Sequence, residues 1–429
     1  MAHKQSMLFR SVTIIDPRSE FNHQKTNILI QDGKYHSFNN DDQEYDNNVE
    51  IIDCDHLYLS IGWFDINVNF CDPGFEMNED LVSGTAAAAH GGFTGVALMP
   101  NTEPPLHTKS QINYLKDQSR NLTVDVFPIG AVSANRNGKD MAEMFDMANH
   151  GAVAFSDGDR AIADAGLLLR SAQYAANFGK KVIVFADDLS LYGKAIVNEG
   201  EMSVVLGMKG MPALAEEMMI ARDIALCEYA NCPIHFTTVS TAGSVQLIRE
   251  AKQKGLPITA DVSSIHVFSN ENVLSDFDTN YKVKPPLRSE NDRLKLIKGI
   301  VDGTIDAICS QHTPQTIEHK KQEFEIAAFG ISNIETSFSL LTTSLENQIS
   351  MERMIELIAI NPRSILNLKI PEIKIGQLAN FTLFDPKEQV VYSSMDIKSK
   401  SKNNPYLGKK LLGKVHGIYN KGAFINLKN

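Results

Sequence analysis

Two periodicities divide the chain. Residues 1 to about 58 carry short strand-like runs, Leu8–Ile15, Asn27–Ile30 and Glu50–Ile52, separated by polar stretches such as Asn39-Asn40-Asp41-Asp42. From Leu59 short apolar, β-branched runs alternate with longer stretches of helical period. The runs are Gly62–Val68, Thr94–Met99, Val124–Ile129, Ala152–Phe155, Lys181–Phe185, Ile234–Thr238, Ile258–Val262 and Ile305–Cys309. Between them, Glu79–His90, Ala165–Phe178, Ala213–Ala230, Ala242–Lys254 and Glu290–Ile300 read as helices. Continuous apolar strands are buried on both faces, as a parallel barrel requires. Eight strand–helix units over roughly 300 residues predict an α/β fold, a (β/α)8 TIM barrel. A doubly wound open sheet is the alternative, and it is disfavoured because no glycine-rich phosphate turn opens a βα unit. After Pro371 β character returns at Gln377–Asp385, Gly413–Tyr419 and Ala423–Ile425. Neither terminal β segment can bury a core alone. Residues 1–58 and 372–429 are therefore expected to form one small composite β-sandwich domain beside a barrel spanning 59–371.

Composition narrows the function classes. The 429 residues are 43% hydrophobic and 22% charged, the balance of a soluble globular protein. A formal charge of −11, from 41 basic and 52 acidic residues, argues against a nucleic-acid or anionic-membrane partner. No apolar run reaches bilayer length, and Met1–Ser6 opens no signal-peptide core. Cys54, Cys71, Cys227, Cys232 and Cys309 are an odd set without Cys-x-x-Cys spacing, so they read as reduced, buried thiols of a cytoplasmic protein.

The most specific signal is a series of short landmarks in fixed order. It opens with Ile61-Gly62-Trp63-Phe64-Asp65-Ile66-Asn67-Val68-Asn69-Phe70-Cys71-Asp72-Pro73-Gly74 and His90-Gly91-Gly92-Phe93-Thr94-Gly95-Val96. It continues with Met99-Pro100-Asn101-Thr102-Glu103-Pro104-Pro105, Val239-Ser240-Thr241-Ala242, Lys284-Pro285-Pro286-Leu287-Arg288 and Asp302-Gly303-Thr304-Ile305-Asp306. It ends with Asn361-Pro362-Arg363, Gly376-Gln377-Leu378-Ala379-Asn380 and Ser401-Lys402-Asn403-Asn404-Pro405-Tyr406-Leu407-Gly408. Over nearly its whole length the chain resembles the dihydroorotases of the cyclic amidohydrolase superfamily.

That resemblance implies histidine and carboxylate ligands at the C-terminal ends of barrel strands, holding one or two zinc ions that polarise a carbonyl and activate water. This chain departs at those positions. The first-strand His-x-His pair is Asn67 and Asn69, the fifth-strand ligand is Phe185, and the sixth-strand ligand is Thr238. Gln311 stands where the eighth-strand catalytic aspartate belongs. The family's substrate arginine aligns with Cys71, the asparagine before Pro-Pro-Leu-Arg with Lys284, and the second histidine of the strand-eight motif with Gln315. Asn101 and Asp157 match the family and, with Lys284 and His312, form an expected remnant pocket. Neutral amides are weak zinc ligands. No zinc and no other cofactor is therefore expected, although the family implies zinc.

Other residues offer little to rebuild a site. His235 lies three positions before Thr238, so strand alternation directs it to the barrel exterior as a packed histidine. His312 follows the lost aspartate and faces the mouth, and His266 sits in the loop after strand seven. Asp157, Asp159, Asp187 and Asp188 read as helix caps and loop charges in preference to a magnesium site. Cys71 has no neighbouring cation or histidine in sequence to activate it.

The reading that follows is a catalytically silent dihydroorotase homologue of pyrimidine biosynthesis. The family includes metal-less relatives joined to aspartate carbamoyltransferase, so the resemblance implies that partner, an oligomer, and a structural or regulatory role. The alternative is an active cyclic-amide hydrolase with a relocated or non-zinc site built from Asp157, Asp187, Lys284 and His312. A third reading is a sensor whose old pocket binds a pyrimidine precursor.

Overall fold

The structure, a computed structural model, describes residues 6–39 and 49–427. The turn expected at Asn39–Asp42 lies, from Asn40 onward, outside the described residues, as do Met1–Gln5. Among the described residues seventeen strands follow in chain order: β1 (Ser6–Ile14), β2 (Lys25–Gln31), β3 (Lys34–Asn39), β4 (Val49–Asp53), β5 (Tyr58–Ile61), β6 (Trp63–Val68), β7 (Phe93–Leu98), β8 (Asp125–Pro128), β9 (Val182–Phe185), β10 (Val197–Asn198), β11 (Gly210–Met211), β12 (Ile234–Thr237), β13 (Ile258–Ser263), β14 (Ala307–Cys309), β15 (Phe381–Val391), β16 (Lys410–Asn420) and β17 (Ala423–Asn426).

Both chain ends build one sheet, in the order β17-β16-β15-β5-β1-β2-β3, with β4 added to β1. Because β5 pairs with β15 (Phe381 opposite Ile61), the chain crosses into the barrel at Gly62. Only glycine fits that crossing, since a Cβ there would lie 2.2 Å from the Thr94 hydroxyl and 2.3 Å from Asn380 Oδ1. The single tryptophan, Trp63, seals the junction. Its ring is fully buried, 4.5 Å from Phe338 and 5.3 Å from Phe384, and its indole N–H reaches Ser60 Oγ at 3.0 Å.

The parallel strands form a ring. One arc runs β6-β7-β8 and the other β9-β12-β13-β14. Phe155 bridges Gly130 and Val182, and Val68 bridges His312, joining the arcs at both gaps. The expected Ala152–Phe155 strand thus contributes a bridge rather than a full ladder. Phe64, Ile66, Met99, Ile129, Ile183 and Cys309 fill the interior, while Val96, Val182, Ile234, Phe236 and Val262 pack outward into the main core. At the floor, the buried Arg363 guanidinium donates to the Gly62 and Ala359 carbonyls at 2.7 and 2.8 Å and lies 5.1 Å from the Phe64 ring. None of the five cysteines forms a disulfide. Among the described residues no helix is long and apolar enough to cross a membrane.

Candidate functional site

Asn67, Asn69, Phe185, Thr238 and Gln311, the positions where the resemblance implies ligands or a catalytic group, converge on one small cavity of about 100 Å³ at the C-terminal mouth of the barrel. Asn101 and Lys284 line it too. Local backbone explains the convergence. Pairing of β6 with β7 slips between Asp65 and Val68, so Phe64 and Ile66 stay inside the barrel while Asn67 and Asn69 reach the mouth. Asp65 pins the slip, accepting from Asn67 N and Ser310 N at 3.0 Å each. Thr238 and Gln311 both adopt left-handed backbone (φ 54° and 55°), which turns the chain sharply at the ends of β12 and β14.

These side chains hold one another. Asn67 Nδ2 donates to Thr237 Oγ1 and Asn69 Nδ2 to Thr313 Oγ1, both at 3.0 Å. Gln311 Nε2 donates to the Lys284 carbonyl at 2.7 Å. The Lys284 ammonium pairs with Asp187 at 2.8 Å and lies 5.5 Å from the Phe185 ring. Tyr192 also donates to Asp187 at 2.6 Å. The groups facing the cavity are therefore amide oxygens, hydroxyls and a phenyl ring, with Asp159 and Lys284 each already ion-paired. That set does not fit zinc, which requires imidazole, thiolate or carboxylate ligands. Among the described residues, no three or more His, Cys, Asp or Glu residues group closely enough to hold a metal.

Several sequence expectations need correction. Asp157 is not part of the pocket. Its carboxylate turns away to accept from Val132 N and Ser133 N, each at 2.9 Å, and burial pushes its pKa up. Its neighbours Gly158 and Asp159 reach the mouth instead. His312 also faces away, with Nδ1 accepting from Asn333 N at 3.1 Å and Nε2 3.5 Å from Glu79. His235 points into the barrel rather than outward, because it pairs in register with the interior Ile183. Its ring bonds Asp261 and Thr259 at 2.9 Å each. Alternation misdirects that reading because Thr238 has already left strand geometry. His266 is buried against the Pro285 carbonyl at 3.1 Å, and burial lowers its pKa to about 4.

The four aspartates do not assemble. Asp159 pairs with Arg136, Asp187 with Lys284, and Asp188 caps the 189–191 turn through Ser190 N at 3.0 Å. The hydrolase alternative drew on Asp157, Asp187, Lys284 and His312, and only Asp187 and Lys284 meet. Cys71 lies outside the cavity lining, and burial, with Glu79 nearby, pushes its thiol up to about 12. Gln315 is spent on the loop, donating to the Phe329 carbonyl at 3.0 Å. Sequence reasoning missed Thr237, Thr313, Phe329 and Ile331 in the lining. Polar residues beside the recognised strand-end positions were a signal for the two threonines; the 329–331 loop carried none.

Three buried carboxyls predict a pH dependence. Burial raises the Asp65 carboxyl to about 7, and burial likewise raises Glu335 to about 7 and Asp223 to about 6. A raised carboxyl contributes stability fully below its unfolded pKa and loses it as pH rises through the folded value. Calorimetry should therefore show these groups lowering stability as pH rises from about 4 to about 7, with a slope of at most ~1.4 kcal/mol per pH unit per group. Asp65→Asn should reduce that slope by one group's share; an unchanged slope would contradict the assignment.

Comparison with known proteins agrees with this architecture. Residues 58–244 match the family described as dihydro-orotase-like. The dihydroorotase of Geotalea daltonii is 39% identical over 368 residues, covering 85% of this chain and 87% of its own length. That of Ruminiclostridium cellulolyticum is 39% identical over 391 residues, covering 90% and 91%. In structure, the chain is similar to the L-hydantoinase (dihydropyrimidinase) of Arthrobacter aurescens, with TM-score 0.85, 21% identity, and coverage of 98% and 96%. That likeness shows the fold alone, a barrel with an accessory β domain built from both chain ends. Landmarks, barrel and full-length relatives agree, and the chain belongs to the dihydroorotase family.

Proposed function

We propose that this chain serves pyrimidine biosynthesis as a dihydroorotase-family protein without zinc-dependent hydrolysis, acting as a structural or regulatory partner in an oligomer, with aspartate carbamoyltransferase as the partner. One observation carries the reading. The former ligand positions still converge, but they present Asn67, Asn69, Phe185, Thr238 and Gln311, and the side-chain amides of Asn67, Asn69 and Gln311 donate to neighbouring protein oxygens. A hydroxide-generating metal needs several anionic or imidazole ligands at once, so restoring one position would not suffice. Around this altered mouth the family landmarks and the core are retained, which favours selection for a folded surface over simple decay.

The test is metal analysis, dihydroorotate turnover and affinity capture on one preparation of the full chain. Expected are zinc well below one per chain, no turnover above blank, and co-purification with aspartate carbamoyltransferase. Stoichiometric zinc with measurable turnover would sink the reading, and a zinc-free chain that never binds the transcarbamoylase would remove the partner.

A further inference from the structure

The mouth holds an unusual concentration of unmet acceptors. Asn69 Oδ1, Asn101 Oδ1, Gln311 Oε1 and Thr238 Oγ1 are buried and without a hydrogen-bond partner, and all four belong to residues lining the same cavity. For two of them the amide orientation is forced. Asn69 Nδ2 faces the Thr313 hydroxyl at 3.0 Å and the His312 carbonyl at 3.5 Å, and Gln311 Nε2 faces the Lys284 carbonyl at 2.7 Å. A carbonyl only accepts, so flipping either amide would set oxygen against oxygen. Leaving a buried acceptor unsatisfied costs about 1–3 kcal/mol, and four around one cavity point to a ligand.

The chemistry of that ligand is narrow. An amide or ureide carbonyl would need donors, yet the buried side-chain atoms of the lining left without a partner are all oxygens, three amide carbonyls and one hydroxyl. The Asn67, Asn69 and Gln311 amide nitrogens each already donate to a protein oxygen. An anion meets the same obstacle. The charged residues in the lining, Asp159 and Lys284, are neutralised by Arg136 and Asp187, so no free carboxylate is present to favour a divalent ion. Neutral oxygens can replace the shell of a weakly hydrated monovalent ion. We propose that the barrel mouth is a binding site for a monovalent cation of potassium or ammonium size, held by the side-chain oxygens of Asn69, Asn101, Gln311 and Thr238.

The proposal rests on the zinc-free reading above. Its test is the melting temperature of the full chain, first shown by metal analysis to lack zinc, in potassium, ammonium, sodium or choline chloride at one ionic strength. At about 100 mM, potassium and ammonium should each raise the midpoint by roughly 2 °C relative to choline. Asn69→Leu and Gln311→Met should abolish the difference, and Asn69→Asp should shift preference toward magnesium or calcium, a change that lost stability alone would not produce. Stabilisation by ammonium but not potassium would overturn the ion site in favour of an N–H donor ligand. Equal midpoints in all four salts would overturn it outright. Stoichiometric zinc would overturn both this proposal and the zinc-free reading, whereas a zinc-free chain indifferent to potassium overturns this one alone.

Discussion

Glu79→Ala should cost the folded chain roughly 2–4 kcal/mol, because it removes the acceptor of several buried donors, each costing about 1–3 kcal/mol to leave unsatisfied. Glu79 is fully buried and accepts from the Ser83 and Ser399 hydroxyls and from Lys400 N at 3.0 Å, with His312 Nε2 3.5 Å away. It ties the first barrel loop to the strap of residues 397–404. Near it, Glu335 accepts from Lys398 N at 2.6 Å, Ser401 donates to the Asn78 carbonyl at 2.6 Å, and Asn403 donates to the Gly330 carbonyl at 3.1 Å. Burial opposes the Glu79 charge, but the hydrogen bond and field of His312, with the two serine hydroxyls, hold its carboxyl below the usual range. A lowered carboxyl stabilises above its unfolded pKa and loses that contribution as pH falls through the folded value. The penalty measured by urea denaturation should therefore be full near neutrality and shrink in acid, with faster amide exchange across 397–404. A loss below about 1 kcal/mol at neutral pH would mean that these donors find other partners.

Gly158→Ala should cost about 2–5 kcal/mol and dismantle the mouth. Gly158 has φ +66°, and a Cβ there would lie 1.6 Å from Asn101 Oδ1 and 2.7 Å from its Cγ. Left-handed backbone costs an L side chain ~1–2 kcal/mol, and overpacking adds ~1–3 kcal/mol. Asn101 must swing away, so the variant should lose its potassium response along with stability. Wild-type stability with Asn101 unmoved in a crystal structure of the variant would contradict the close packing.

The strand-like runs, the alternating βα units and the return to β character after Pro371 were legible in the chain itself, because burial on two faces leaves a local pattern. The residues that meet at the mouth were legible for the same local reason: Asn67, Asn69, Phe185, Thr238 and Gln311 each stand beside a landmark at a strand end. Orientation was not. Alternation holds only while backbone stays extended, and the left-handed turns at Thr238 and Gln311 end it, so His235 points inward and His312 away from the mouth. Asp157 matched a family position yet bonds the loop after β8.

Long-range pairing was equally invisible. Asp187 meets Lys284, and Glu79 meets Ser399, through folding that brings distant segments together. By itself, then, the sequence determined which elements form and which chemical groups stand at the strand ends, since both depend on residues near in the chain. Only the tertiary structure decided that neutral oxygens converge unpaired on one cavity, because a hydrogen bond is won or lost by atoms within about 3 Å in space, whatever their separation along the backbone.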